Sequence, residues 1–178
     1  MRILRLSYDD LTPHWVPLCD LLTDAVDSGA SIGFLPPLRE DEAAEYWSGV
    51  ADALRDGSRV LLVAVDEGGL IGCVQLDYAM RRNALHRAEI MKLMVHRSAR
   101  RRGIGRALMV EAARVAKADG RTLLVLDTRH GDPSEALYRS LGYQAAGIIP
   151  RYARSASGEL HATILMYLEL ESTCTSSN

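Results

Sequence analysis

The chain has 178 residues, enough for one domain with a full core. Its apolar content of 48%, charged content of 25% and net charge of -2 fit an ordinary globular protein, and they exclude a bulk electrostatic attraction to nucleic acid or an anionic membrane. Cys19, Cys73 and Cys174 lie far apart and make an odd count, which points to a reduced, cytoplasmic chain with no metal site.

The opening "MRILRLSYDD" reads as a strand, "ILRLS", and not as a secretion signal; no apolar run approaches the roughly 20 residues that cross a bilayer. "LTPHWVPLCDLLTDAVDSGA" follows as a helix, with Leu18, Leu21, Leu22 and Val26 at helical spacing, Gly29 near its end and two prolines blurring its start. "GASIGFLPPL" is a loop, and "EDEAAEYWSGVADALRDG" a second helix, begun by acids and closed by Gly57. "RVLLVAVDE" and "LIGCVQLDYAM" form a hairpin through "EGG", and "HRAEIMKLMV" is a third strand. A largely buried helix runs from about Ile104 to Asp119 and stops at Gly120. "TLLVLDT" is a continuous apolar strand of the parallel, buried kind.

"GDPSEALYRSLGY" carries a full set of boundary signals: Asp132 as cap, Pro133 at the first helical position, Glu135 to complete a capping box, and Gly142 to end the helix. Two last strands, "QAAGIIP" and "HATILMYLEL", flank a "SASGE" turn, and the polar "ESTCTSSN" follows. The expected molecule is one α/β domain over residues 1–171 with a tail over 172–178. Its sheet is mixed but mostly antiparallel, and the crossover from His86 to Asp127 makes one parallel pair.

One helix start is anomalous. "RSARRRGIGRALM" offers no capping side chain; it supplies Gly103 and Gly105 behind a cluster of arginines. A helix start leaves four N–H groups unpaired and carries the positive end of the dipole, so glycines there let a bulky anion such as phosphate approach the backbone. Arg100, Arg101, Arg102 and Arg106 could add charge-assisted bonds to its oxygens. The competing reading is a solvated basic turn, or a patch for nucleic acid. The absence of a P-loop lysine and Ser/Thr argues against nucleotide hydrolysis.

Two acids stand inside otherwise apolar strands: Glu89, expected to share a face with Met91, Leu93 and Val95, and Asp127 at a strand's C-terminal end. Such carboxylates suit proton abstraction from an amine or the binding of an ammonium, against a structural ion pair of Glu89 with Arg87 or Lys92.

Arg100-x-x-Gly103-x-Gly105 after "KLMV", with "ALYRSLGY" and the order of elements, resembles the GCN5-related N-acetyltransferase (GNAT) family over nearly the whole chain. "GASIGF", "AEIMKLMV", "LDT" and "GELHATILMY" resemble, within it, the tabtoxin-resistance acetyltransferases, which acetylate a β-lactam amino acid toxin. The resemblance implies a splayed central parallel strand pair flanked by helices, with acetyl-CoA as acetyl donor. Its diphosphate would rest on residues Arg100, Arg101, Arg102, Gly103, Ile104, Gly105 and Arg106, and its pantetheine arm on the main chain of Leu93, Met94 and Val95. Ser134 takes the place of a family asparagine at the donor, and Tyr138 stands near the thioester sulfur as the acid for the leaving thiolate. Glu89 and Asp127 would activate the acceptor amine. Ser31, Phe34 and His161 would wall the acceptor side, His161 standing also as a structural residue. The implied partner is a small-molecule amine or amino acid, with room for a homodimer, and with no nucleic acid, membrane or metal. Acetylation of a protein or peptide N-terminus, of an aminoglycoside, and a non-catalytic acyl-CoA-binding module are the alternative functions.

Overall fold

In the computed structural model, which describes residues 1–170, the expected elements follow one another in the expected order. They are β1 (Arg2–Leu6), α1 (Trp15–Asp27), α2 (Glu40–Arg55), β2 (Arg59–Asp66), β3 (Gly69–Tyr78), β4 (Arg87–Val95), α3 (Ile104–Ala118), β5 (Leu123–Arg129), α4 (Pro133–Ser140), β6 (Gln144–Arg154) and β7 (Leu160–Glu169). A 3-10 turn, Thr12–His14, absorbs Pro13 before α1, and a second, Arg97–Ala99, precedes α3. The tail expected over 172–178 lies outside the described residues.

The strands form one sheet in the order β1-β2-β3-β4-β5-β7-β6, antiparallel except for β4 and β5. Alternating residues feed two cores. Val60, Leu62, Leu76, Ile90, Leu124 and Leu126 pack against Leu108, Met109, Ala112 and Val115 of α3 and against Tyr138 and Tyr143. Leu61, Val63, Cys73 and Met94 point the other way, onto Leu18, Leu21, Leu22, Trp47 and Val50 of α1 and α2. A wholly buried leucine contributes about 1.5–3 kcal/mol, so this double layer supplies most of the stabilisation.

Two local expectations fail for identifiable reasons. The first is the alternation along β4. Pairing with β3 passes from Gln75 opposite Met91 to Cys73 opposite Met94, so Lys92 and Leu93 together face Val74. This is a β-bulge, and Lys92 takes the left-handed φ of 50° that it requires. Beyond it the faces exchange. Leu93 and Val95 join Ala88 and Ile90 on the α3 side, while Met94 joins the α1–α2 side; Glu89 therefore does not share its face with Leu93 and Val95. Gly72 makes room past the bulge, opposite Val95, where an added Cβ would lie 2.8 Å from the Met94 carbonyl oxygen.

The second is the capping box of α4. The Glu135 N–H is already taken by the Asp132 backbone carbonyl at 3.0 Å, which leaves the Asp132 side chain without a donor there. The Glu135 carboxylate reaches one residue further back, to the Gly131 N–H at 2.8 Å, and also holds Arg139 at 2.8 Å and His130 at 3.0 Å.

Candidate functional site

β4 and β5 run together for only three residue pairs, Arg87–Leu123, Ala88–Leu124 and Glu89–Val125. Past Glu89 they part, because β5 stays registered with β7 over its full length, from Leu123–Glu169 to Arg129–Thr163. The stretch Leu93, Met94, Val95 thus keeps its β3 partners on one side and has no strand partner on the β5 side. An unpaired edge inside a sheet is a row of backbone donors and acceptors open to an extended ligand.

The start of α3 adjoins this parting. Gly103 stands at the cap position with φ 78°, and no side chain caps the helix. Arg101 before it is also left-handed, at φ 65°. Ile104 is buried against the sheet, and a Cβ on Gly105 would come to 3.5 Å from Leu137 of α4 and 3.9 Å from Val95. Gly105 therefore keeps open the narrow space between α3, α4 and the β4 edge. Free N–H groups, a positive dipole end and glycine clearance suit an anion.

The arginines do not all point there. Arg100 donates to the Val95 carbonyl at 3.1 Å and to Ser28 just past α1, Arg102 pairs with Asp66 at 3.3 Å, and Arg106 donates to Ser140 of α4 at 2.6 Å. Arg101 is exposed and has no ion pair among the described residues. The sequence cluster is thus mostly a set of braces around the helix start, with Arg101 as its one uncommitted charge.

Glu89 and Asp127 stand on adjacent strands at the parting, and both are accessible. Burial, the Asp127 charge and the Asp77 charge across from it in β3 raise the Glu89 pKa, with Arg87 and Lys92 opposing. No ion pair holds Glu89 among the described residues. The Asp127 carboxylate lies 2.8 Å from the Thr163 hydroxyl of β7, whose proton it shares with the Thr128 carbonyl, also at 2.8 Å. Tyr138 comes from α4 and is buried against Tyr143, with ring centroids 5.8 Å apart. Burial, then the Asp127 charge, pushes its hydroxyl up to about 12, so the phenol keeps its proton. Ser134 points to Thr128, the two hydroxyl oxygens being 2.7 Å apart at the head of α4.

On the α1–α2 side of the sheet lies a cleft of about 590 Å³ between the loop after α1 and the β6–β7 turn. Ser31, Phe34 and His161 all line it, and so does Arg129, which patterning did not single out. His161 stands 3.8 Å from Glu159. Tyr46 packs edge-on to Phe34 and bonds to Gln75, while Trp47 is wholly buried and faces no opening. Lys92, pushed out by the bulge, lies 5.8 Å and 5.6 Å from the Phe34 and Tyr46 ring centroids, and burial followed by Arg59 lowers its pKa. Arg59 itself is tied to Asp77 at 2.7 Å.

Asp24 near the end of α1 gathers the segment between β4 and α3. It accepts from the Arg97 backbone N–H at 2.9 Å and pairs with the Arg97 guanidinium, with His96 at 3.5 Å and Arg100 at 3.9 Å. Burial works against its charge, but the bonds from Arg97 and the nearby His96 hold its carboxyl below the usual range. A lone acid in an amphipathic helix gave no hint of this. Among the described residues no group of three or more His, Cys, Asp or Glu is placed to hold a metal, and no helix is long and apolar enough to cross a membrane.

Comparison with known proteins agrees with this fold. Residues 20–143 match the model of the Acetyltransferase (GNAT) family. An uncharacterized N-acetyltransferase from the hisH-hisA intergenic region of Azospirillum brasilense is 34% identical over 114 residues, which span 63% of this chain and 66% of that relative. A ribosomal-protein-alanine N-acetyltransferase from Brucella melitensis superposes with a TM-score of 0.79 at 24% identity, over 96% of this chain and all (100%) of that one. A phosphinothricin acetyltransferase from Sinorhizobium meliloti, solved in complex with AcCoA, gives 0.77 at 24% identity, over 99% and 92% of the two chains.

Proposed function

Because the chain belongs to the GNAT acetyltransferase family, we propose that it transfers the acetyl group of acetyl-CoA to the primary amine of a small molecule. The observation that carries this reading is the coincidence, at one parting of the sheet, of an unpaired β4 edge, an uncapped helix start and two accessible carboxylates.

The residues present fit the donor. The Gly103–Arg106 backbone and Arg101 would take its diphosphate, and the main chain of Leu93, Met94 and Val95 its pantetheine arm. Arg100, Arg102 and Arg106 would serve chiefly by fixing the loop, given their internal partners. Bound acetyl-CoA supplies the activated thioester. The protein supplies the proton handling. An alkylammonium near pKa 10.4 costs about 4–5 kcal/mol to deprotonate at neutral pH, and an α-ammonium near 7.8 about 1. Glu89, whose proton affinity is raised by burial and Asp127, is suited to take that proton, directly or through water. Asp127, in contact with the Thr163 hydroxyl, holds the ammonium beside it. Tyr138 keeps a proton available for a departing thiolate. A backbone N–H on the free β4 edge would stabilise the carbonyl oxygen as charge develops.

The finer reading is an amino acid acceptor of the β-lactam toxin or phosphinothricin type, met in the cytoplasm, where the free thiols of Cys19 and Cys73 would persist. The test is thiol release from acetyl-CoA in the presence of a panel of amines, amino acids and toxin analogues. Turnover on small amines supports the reading. Tight coenzyme A binding with no turnover on any amine would mean a non-catalytic module.

A further inference from the structure

Most arginines in this protein have a use visible in its own contacts. Arg5, Arg39, Arg55, Arg59, Arg97, Arg102, Arg114 and Arg139 pair with carboxylates. Arg121 bonds to the Leu85 carbonyl and lies over the Tyr78 ring. Those with no partner are exposed, with one exception. Among the described residues, Arg129 is the one arginine that is not exposed and yet has no hydrogen bond, ion pair or ring contact. Its Nε is buried with no acceptor. A guanidinium whose Nε is shut off from water without an acceptor forgoes a hydrogen bond there, which an incoming acceptor can supply.

Its location says what that would be. Arg129 follows Asp127 by two residues on β5, so both side chains stand on the same face, about 7 Å apart at their Cα atoms. The β7 residue opposite Arg129 is Thr163, the same residue whose hydroxyl contacts Asp127. Arg129 lines the cleft with Ser31, Phe34 and His161. The other charges on that lining are committed elsewhere or turned out: Arg154 donates to the Gly158 carbonyl, and the exposed Glu159 leans on His161. The cleft therefore presents a guanidinium without a protein partner, on the strand face that carries Asp127 two residues earlier.

Resting on the acetyl-transfer reading, we propose that Arg129 binds an anionic group of the acceptor, so that the substrate class is a small amino acid or phosphinate-bearing analogue and not a simple amine. The ammonium lies at Glu89 and Asp127 and the carboxylate or phosphinate takes the fork of Arg129, which suits planar and tetrahedral oxyanions alike. Standing two residues from Asp127 on the same strand face, the guanidinium selects acceptors that carry an anionic group as well as the amine, and leaves polyamines without their second anchor.

The experiment compares acceptors in pairs, each amino acid beside its carboxamide, which keeps the ammonium and lacks the anion, on wild type, Arg129→Gln and Arg129→Lys, by thiol release and by calorimetric titration of the acceptor. Wild type should favour the acid over the amide. Arg129→Gln should lose about 30-fold of that preference, carried by KM and not kcat, with a matching loss of acceptor binding. Arg129→Lys should recover part of it, which a merely structural arginine would not show. Equal use of acids and amides by wild type, or an unchanged preference in a folded Arg129→Gln, overturns this proposal and leaves acetyl transfer standing. Absence of thiol release with every amine overturns acetyl transfer itself and this proposal with it.

Discussion

Glu135 offers a quantitative test of how the α4 platform is held. The Gly131 N–H, then Arg139, then His130 bring its pKa to about 2, against an ordinary value near 4.3. At 1.36 kcal/mol per unit, that difference is worth about 3 kcal/mol of folding free energy at neutral pH. Arg139 and His130 are 50% and 46% exposed, so solvent screening trims this to about 2 kcal/mol. The folded pKa is depressed, so the contribution is complete above the unfolded value and is lost as pH falls from about 5 to about 2. Glu135→Gln should therefore cost about 2 kcal/mol near pH 7, roughly 4–8 °C in Tm, and almost nothing near pH 2. Urea unfolding of both proteins across that range measures the gap. A gap that stays constant with pH, or one below about 0.5 kcal/mol at neutrality, would show that the hydrogen bonds to Glu135 are not what shifts its titration.

Three further outcomes are expected. Glu89→Gln should lower kcat by about 10²–10⁴-fold and abolish the rise of rate with pH that follows Glu89 ionisation. Because burial raises the folded pKa of Glu89, its charge opposes folding at neutral pH, and the same variant should melt slightly higher; a lower Tm would contradict the burial argument. Tyr138→Phe should reduce kcat about 10²-fold while coenzyme A affinity, read by calorimetry, stays within about twofold; full activity removes the phenol from the proton path. Gly72→Ala should destabilise by about 1–3 kcal/mol in thermal melts, since its Cβ would meet the Met94 carbonyl oxygen at 2.8 Å; a neutral result would mean the bulge relaxes freely.

The architecture was largely legible because each element announced its period and its ends. The continuous apolar "TLLVLDT" signalled a parallel strand, and the missing cap before α3 signalled an exposed helix start. What stayed hidden depended on contacts between distant segments. The bulge at Lys92 is defined by its register against Val74 on another strand, so no count along β4 alone reveals that the faces exchange. The arginine cluster read as one anion grip, whereas Ser28, Asp66 and Ser140 claim three of its members from just past α1, from β2 and from α4. Arg129 was within reach: it lies two residues past Asp127, on the same strand face, and that spacing was the signal.

The bond from Arg97 to Asp24 has a consequence for alignment. The loop that walls the cleft begins at Gly29, one turn past Asp24, and the turn that opens α3 begins at Arg97. Each half of the reaction space is therefore hung from the same peg. Relative displacement between two reactants, more than absolute position, governs how often they collide productively. A residue that touches neither could thus govern turnover while leaving both affinities nearly untouched.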